Sequence, residues 1–145
     1  MGCSLTVSIA FFLDELPFVE GLPSNVLKNY TRKFVDQWCS MANMTPIWID
    51  GTKTLRKTNK NVFYSWSEMI ANFPDHNIIF LDPNGNEYLD EIEHPKDKVI
   101  YCIGADEEKG FGDLNINGFQ SVKLRRYGNW HGFNVVPIVV AARMK

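Results

Sequence analysis

The sequence predicts an α/β protein, a mainly parallel sheet covered by helices on both faces. Three observations carry that expectation. The runs Leu5 to Phe12, Asn77 to Leu81 and Val99 to Ile103 are apolar without alternation, as strands buried on both faces must be. Segments of helical period alternate with strand-like runs, the order of β-α-β units. The runs stop abruptly at turn signals, among them Asp50-Gly51, Asp82-Pro83-Asn84-Gly85 and Gly104. Ligands in such sheets bind beyond the carboxyl ends of the strands, so the turns after Leu81, Ile103 and Leu124 are expected to be neighbours.

Leu5 to Phe12 opens the chain as a strand, and Asp14 to Pro23 is a loop broken by Pro17, Gly21 and Pro23. Ser24 is placed to cap the helix that follows. Leu27, Tyr30, Phe34, Trp38 and Met41 recur at spacings of three and four and form its apolar face, with Lys28, Arg32 and Asp36 on the other side. Thr45 to Ile49 is the second strand, with Pro46 confined to its first residues. Gly51 to Asn61 holds Lys53, Arg56, Lys57 and Lys60 and almost nothing apolar, so it is either a solvated connection or a phosphate-binding arm. Ser65 and Glu68 form a capping box for a short helix to about Phe73. Asn77 to Leu81 is a buried strand, and Asp82 to Asp97 is acidic and turn-rich. Beyond Val99 to Ile103, glycines 104, 110 and 112 stand among Asp106, Glu107 and Glu108. That composition lets backbone approach a ligand beside carboxylates, and it is also that of an ordinary turn. Ser121 to Leu124 is a last short strand. Asn134 to Ala142 is apolar all round and β-branched, which propensity reads as a strand; a helix from near Gly132 is the alternative if Pro137 falls in its first turn or kinks it.

At 145 residues the chain is read as one domain, residues 1–145, long enough to bury a core. Hydrophobic residues make up 45% and charged residues 22%, a globular balance rather than a disordered or fibrous one. The net charge of −2 provides no global attraction to nucleic acid, so such a partner must be met by a local patch. Cys3, Cys39 and Cys102 are an odd number without metal-ligand spacing, which points to a reducing, cytoplasmic setting and to no metal site. The start MGCSLT matches the N-myristoylation pattern, yet Leu5 to Leu13 reads as a buried first strand. No basic residue precedes that run as in a secretory signal, and nothing approaches a membrane span, so no membrane partner is expected.

The later half of the chain resembles a known family. A strand ending LDP (Leu81 to Pro83), a strand running into IGADEEKGFG (Ile103 to Gly112), the strand SVKL and the terminal HGFNVVPIVVAAR are similar to the second and third motifs of the SPOUT methyltransferases, over roughly the last 70 residues. PSNVLKNYTRKF (Pro23 to Phe34) is more loosely similar to the asparagine and arginine motif of their ribose 2′-O-methyltransferase branch, with Asn25 and Arg32 at the matching positions. The resemblance implies a C-terminal deep trefoil knot that binds S-adenosylmethionine in a bent shape, its adenine held by backbone groups of three turns. Carried over by position, the cofactor-binding residues are Leu81 and Asp82, then Ile103, Gly104, Ala105, Asp106 and Gly110, then Leu124. Asn134 matches the asparagine at the start of the family's terminal helix. The resemblance also implies a homodimer with that helix in the interface and an active site completed across it. Two departures stand out. Ala105-Asp106-Glu107 occupies the place of an asparagine-glutamate pair, and Pro137 interrupts the terminal segment. A second branch, the tRNA purine N1-methyltransferases, suits Asp106 and Tyr30.

Methyl transfer of this kind needs a nucleophile aligned with the methyl group and a route for its proton. The catalytic candidates are Arg32, Asp106, Glu107 and Asn134. Arg32 either polarises a ribose hydroxyl or is a surface helix cation. Asp106 or Glu107 is a general base, a contact to the cationic donor or part of a solvated turn, and Asn134 is a site residue or a helix cap. His131 reads as structural or exposed, and His76 and His94 sit in loops without an evident partner. The RNA-binding candidates are Lys53, Arg56, Lys57 and Lys60, with Lys28 and Lys33 from the first helix. Arg125 and Arg126 join them beside Tyr127 and Trp130, groups suited to unstacked bases. The acidic stretch Glu87 to Asp97 must then face away. The favoured reading is an S-adenosylmethionine-dependent RNA methyltransferase acting on a ribose 2′-hydroxyl of tRNA or rRNA. Its rivals are a tRNA purine N1-methyltransferase of the same fold, a non-catalytic knotted module binding RNA or protein, and an enzyme that consumes S-adenosylmethionine itself. A chain this short carries no separate RNA-binding domain, so an accessory protein for substrate selection is also expected.

Overall fold

The structure, a computed structural model, describes residues 6–13, 21, 23–55, 61–104, 111, 114–124 and 132–144. The elements run β1 (Val7–Phe12), α1 (Ser24–Met41), β2 (Thr45–Ile49), β3 (Val62–Phe63), α2 (Trp66–Asn72), β4 (Asn77–Leu81), β5 (Glu87–Tyr88), β6 (Val99–Ile103), β7 (Gln120–Lys123) and α3 (Gly132–Arg143). The strands form one sheet in the order β3-β2-β1-β6-β4-β7-β5, and every pairing is parallel. The expected α/β class is therefore observed. β1, β2, β4 and β6 have no polar face because both faces are covered.

The alternation of side chains across this sheet sorts the core into two layers. Ile9, Phe11, Trp48, Ile79, Tyr101, Ile103 and Val122 lie with Val35 and Cys39 of α1 and with Val135, Val136, Val139 and Val140 of α3. Ala10, Ile47, Ile49, Phe80, Ile100 and Cys102 face Trp66 and Met69 of α2. Burial raises both described thiols: Cys39 is pushed up to about 12, with the Asp36 carboxylate adding to the effect, and Cys102 well above the usual value. Both cysteines act as small hydrophobes.

Several sequence expectations change. Pro23, not Ser24, occupies the N-cap of α1, and no side chain caps it. Its inward face is Thr31, Val35 and Cys39, while Tyr30 and Met41 are 61% and 67% exposed. The three-and-four spacing is helical as expected, but the stripe is rotated, so that Leu27, Phe34 and Trp38 are only half-buried and Tyr30 and Met41 reach the surface. The capping box at α2 is present, with the Glu68 N–H donating to Ser65 Oγ at 3.1 Å, and the helix ends at Asn72. β3 and β5, of two residues each, lie in stretches read as loop, and β7 starts one residue earlier than expected. The terminal segment is a helix with Pro137 inside it, so tertiary packing overrides the β-branched propensity.

A buried polar network fixes the direction of α3. Arg143 Nη1 donates to Pro95 O and to Tyr101 Oη (3.2 Å), and Nη2 donates to Lys96 O at 2.9 Å. The His94 ring meets Leu89 O through Nε2 at 3.0 Å and Tyr101 Oη through Nδ1 at 2.7 Å. A carbonyl only accepts, so Nε2 carries the proton and the Tyr101 hydroxyl donates to Nδ1. His94 thus has partners the sequence did not reveal. Pro95 and Lys96 precede β6, so the end of α3 lies at the amino ends of the strands and its first turn at the carboxyl ends.

Tyr101→Phe is expected to cost about 1–3 kcal/mol in urea unfolding, because it leaves His94 Nδ1 and Arg143 short of a partner. Burial first, and then the Arg143 charge, hold His94 below its ordinary value against the Leu89 hydrogen bond. Its neutral form therefore stabilises the fold in full above the unfolded value of about 6.5, and that contribution is lost as pH falls through the folded value. Thermal melts of wild type and His94→Gln across that window should show a shallower acid dependence in the variant.

Candidate functional site

Register places the ends of all seven strands on one level. Val62, Trp48, Phe11, Ile103, Leu81, Val122 and Glu87 form a single row of Cα partners from β3 to β5. The turns after Leu81, Ile103 and Leu124 therefore leave three adjacent strands, β4, β6 and β7, at one height.

The first of these turns is bound tightly to the third strand. Asp82 N–H donates to Val122 O (2.9 Å), Gly85 N–H to Asp82 O (2.9 Å), and Asn84 N–H to Asp82 Oδ1 (3.0 Å). Leu89 N–H donates to Lys123 O at 2.9 Å, so the segment is bound to β7 again beyond β5. A Cβ on Gly85 would stand 2.6 Å from the Val122 carbonyl carbon and 2.9 Å from Lys123 N, a contact that only glycine permits. Leu81, Asp82, Gly104 and Leu124 are half-buried at this edge. Ile103 is buried, so its side chain belongs to the core.

Ala105, Asp106, Glu107 and Gly110 lie outside the described residues, as do Arg56, Lys57, Lys60, Arg125, Arg126, Tyr127, Trp130 and His131. The two ends of the glycine-rich segment are nevertheless fixed. Gly104 continues β6, and Phe111 is buried with its ring centroid 4.9 Å from Trp66 and 4.6 Å from Phe80, edge to face. Sequence reasoning missed Phe111, although an aromatic between Gly110 and Gly112 was the available signal. Asn134 falls in the first turn of α3, which brings its backbone to the carboxyl-end edge.

Arg32 is not among these turns. Its Cζ lies 5.4 Å from the centre of the Trp48 ring on β2, and its buried Nε has no hydrogen-bond partner among the described residues. Two strand spacings, about 10 Å, separate β2 from β6. Arg32 is thus not a plain surface cation, and the strand that α1 sets it against is not one of the three that carry these turns.

Lys28 is likewise engaged. Its Nζ is 3.5 Å from Asp50 Oδ1 and donates to Thr52 Oγ1 and Thr54 Oγ1 at 3.0 and 3.3 Å, whereas Lys33 and Lys53 are exposed. Burial works to raise the Asp50 pKa. The Leu55 N–H, the Thr52 and Thr54 hydroxyls and the Lys28 charge outweigh it, and the carboxyl sits below its usual range. His76 pairs with Asp75 at 3.0 Å on the opposite edge, away from the site. Among the described residues, no group of His, Cys, Asp or Glu is arranged to hold a metal ion, and no helix is long and apolar enough to cross a membrane.

No protein-family model matches the chain, and no curated protein matches its sequence. Solved structures do share the fold. One is a Bacillus anthracis protein provisionally designated an RNA methyltransferase, with a TM-score of 0.63 at 14% identity, covering 95% of this chain and 92% of the other. Another belongs to a study of the 2-OH methylation of C/U34 on tRNA, with a TM-score of 0.64 at 13% identity, covering 95% of this chain and 86% of the other. The likeness therefore spans nearly the whole chain.

Gly85→Ala is expected to cost about 1–3 kcal/mol, since the added methyl meets β7 backbone that cannot move aside as a side chain could. Urea unfolding of the variant checks this, and an unchanged midpoint would contradict the backbone contact.

Proposed function

We propose that this protein is an S-adenosylmethionine-dependent RNA methyltransferase that modifies a ribose 2′-hydroxyl of tRNA or rRNA. The observation that carries the reading is that the carboxyl ends of β4, β6 and β7 lie on neighbouring strands in one register row. Half-buried backbone at Leu81, Asp82, Gly104 and Leu124 suits a planar adenine edge, which needs N–H and C=O groups rather than charged side chains. The proposal includes the C-terminal knot. Consistent with it, the chain leaves β7 on the far side of β4 and returns as α3 to pack on β1, β6 and α1.

S-adenosylmethionine supplies an electrophilic methyl group when bound. The protein's part is to orient the hydroxyl in line with that group and to accept its proton. Asp106 and Glu107, in the segment between Gly104 and Phe111, are the proposed proton acceptors, and Asn134 opens the helix at the same edge. Arg32 is the proposed polarising cation, and its distance from β6 along the sheet favours a site completed by a second copy of the chain. The uncovered apolar surface of α1 supports that dimer: Val26, Tyr30 and Met41 are 45%, 61% and 67% exposed on the helix that packs beside α3. The 2-OH methylation studied for one structural neighbour favours the ribose over a purine base. Cytoplasmic location and an accessory protein for RNA selection complete the proposal.

Calorimetric titration with S-adenosylmethionine and S-adenosylhomocysteine tests the cofactor site. A dissociation constant near 1 μM, about −8 kcal/mol, that Gly104→Trp abolishes is the expected result. A folded wild type that binds neither compound at millimolar concentration would sink the enzyme reading. Methyl incorporation into an unmodified RNA transcript, followed by nucleoside digestion, separates ribose from base products. Tyr30→Glu is expected to shift the protein from dimer to monomer in sedimentation and to abolish methyl transfer with it.

A further inference from the structure

Asp50 is a fully buried carboxylate that the proposed chemistry does not use. Each of its polar atoms is occupied. Its N–H donates to Phe63 O (2.8 Å) and its carbonyl accepts from Lys53 N–H (3.1 Å). Oδ1 accepts from Thr52 Oγ1 at 3.0 Å, and Oδ2 accepts from Leu55 N–H at 2.6 Å and Thr54 Oγ1 at 3.1 Å. Lys28, from the second turn of α1, reaches the same carboxylate and both threonine hydroxyls. Burying a charge is costly unless it is paired and hydrogen-bonded, and this cluster meets both conditions.

The cluster forces an alternation on the turn. Residues 52–54 are all exposed, but the Thr52 and Thr54 hydroxyls turn to Asp50 while Lys53 between them adopts φ 58°, a left-handed conformation uncommon for lysine. Strain of this kind persists only where its surroundings impose it, and here five contacts to Asp50 do so. On the far side the Tyr64 hydroxyl donates to Leu55 O (2.9 Å), and Lys53 Nζ lies 5.8 Å from the centre of the Tyr64 ring. The turn begins two residues past Trp48, in the row that Ile103 and Leu81 share, so it stands at the same edge as the cofactor turns. Two strand spacings, about 10 Å, separate it from β6, within reach of nucleotides flanking a target.

We propose that the turn of residues 50–55, with Tyr64, is a preformed contact for the RNA phosphodiester backbone, in which Asp50 is a positioning residue that holds Lys53 outward. The proposal rests on the RNA methyltransferase reading and names how the substrate strand is gripped. It makes a prediction that charge alone would reverse. Removing a carboxylate beside a polyanion should tighten binding by simple electrostatics, whereas loss of a positioning group loosens it.

The test is fluorescence anisotropy of a labelled, unmodified tRNA transcript against full-length protein over a series of salt concentrations, with cofactor titrated calorimetrically in parallel. Asp50→Asn and Thr54→Val should each weaken RNA binding by roughly fivefold or more, and Lys53→Ala should do the same while lowering the salt slope by about 0.7 to 0.9. Cofactor affinity should stay within twofold of wild type in Thr54→Val and Lys53→Ala, which keep the proposal testable if Asp50→Asn does not fold. Unchanged or tighter RNA binding by folded Thr54→Val and Lys53→Ala overturns the proposal alone. Wild-type protein that binds cofactor but not the transcript overturns the RNA reading, and the proposal with it.

Discussion

β6 is paired on both edges and covered on both faces, and the rest of the structure takes its level from it. Val99, Ile100, Tyr101 and Cys102 are fully buried and Ile103 is 4% exposed, in register with β1 on one side and β4 on the other. A slip of one residue would turn every side chain to the opposite layer. Tyr101 would leave His94 and Arg143, and Cys102 would enter the layer built around α1 and α3. The alignment of strand ends is thus a by-product of packing. The same constraint that excludes water from the core sets Gly104 level with Asp82.

The two layers of the core do different work for the edge they share. On the side of α2, aromatic rings lock the far end of the glycine-rich segment: Phe80 lies against Phe111 and Phe119, and Trp66 stacks on Phe12. The Phe80 contacts are edge-to-face and the Phe12–Trp66 pair is stacked, and each adds about 0.5–1.5 kcal/mol beyond the area buried. On the side of α1 and α3 the Tyr101 network fixes one end of α3 and so delivers its first turn to the strand ends. A rigid apolar layer and a hydrogen-bonded one hold the same edge from opposite faces.

The sequence made the central strands legible because both-faced burial leaves no charge in the run. Thr45–Ile49, Asn77–Leu81 and Val99–Ile103 carry their own boundaries in Pro46, Asp50, Asp82 and Gly104. β3 and β5 were not legible, since two residues such as Glu87 and Tyr88 are strand only because β7 offers a ladder. α3 misleads for a related reason. Its valines prefer a pleated surface when packing is ignored, and here they fill the space between α1, β1 and β6. The partners of His94 lie 7 residues on, inside β6, and 5 residues back, in a segment without period, so only the folded chain could show them. Of the candidate site, Asp82 and Gly104 were readable as turn residues. Asp50 was read only as the end of a strand, because nothing in an Asp-Gly pair announces a buried carboxylate.

Arg32 is where packing and polarity pull against each other. Its guanidinium lies against the Trp48 ring, an arrangement worth about 0.5–2 kcal/mol, while its buried Nε has no partner among the described residues, at a cost of about 1–3 kcal/mol. The two effects nearly cancel, and the Asp36 carboxylate one turn on adds a favourable charge interaction. A leucine or methionine would cover Trp48 at lower desolvation cost.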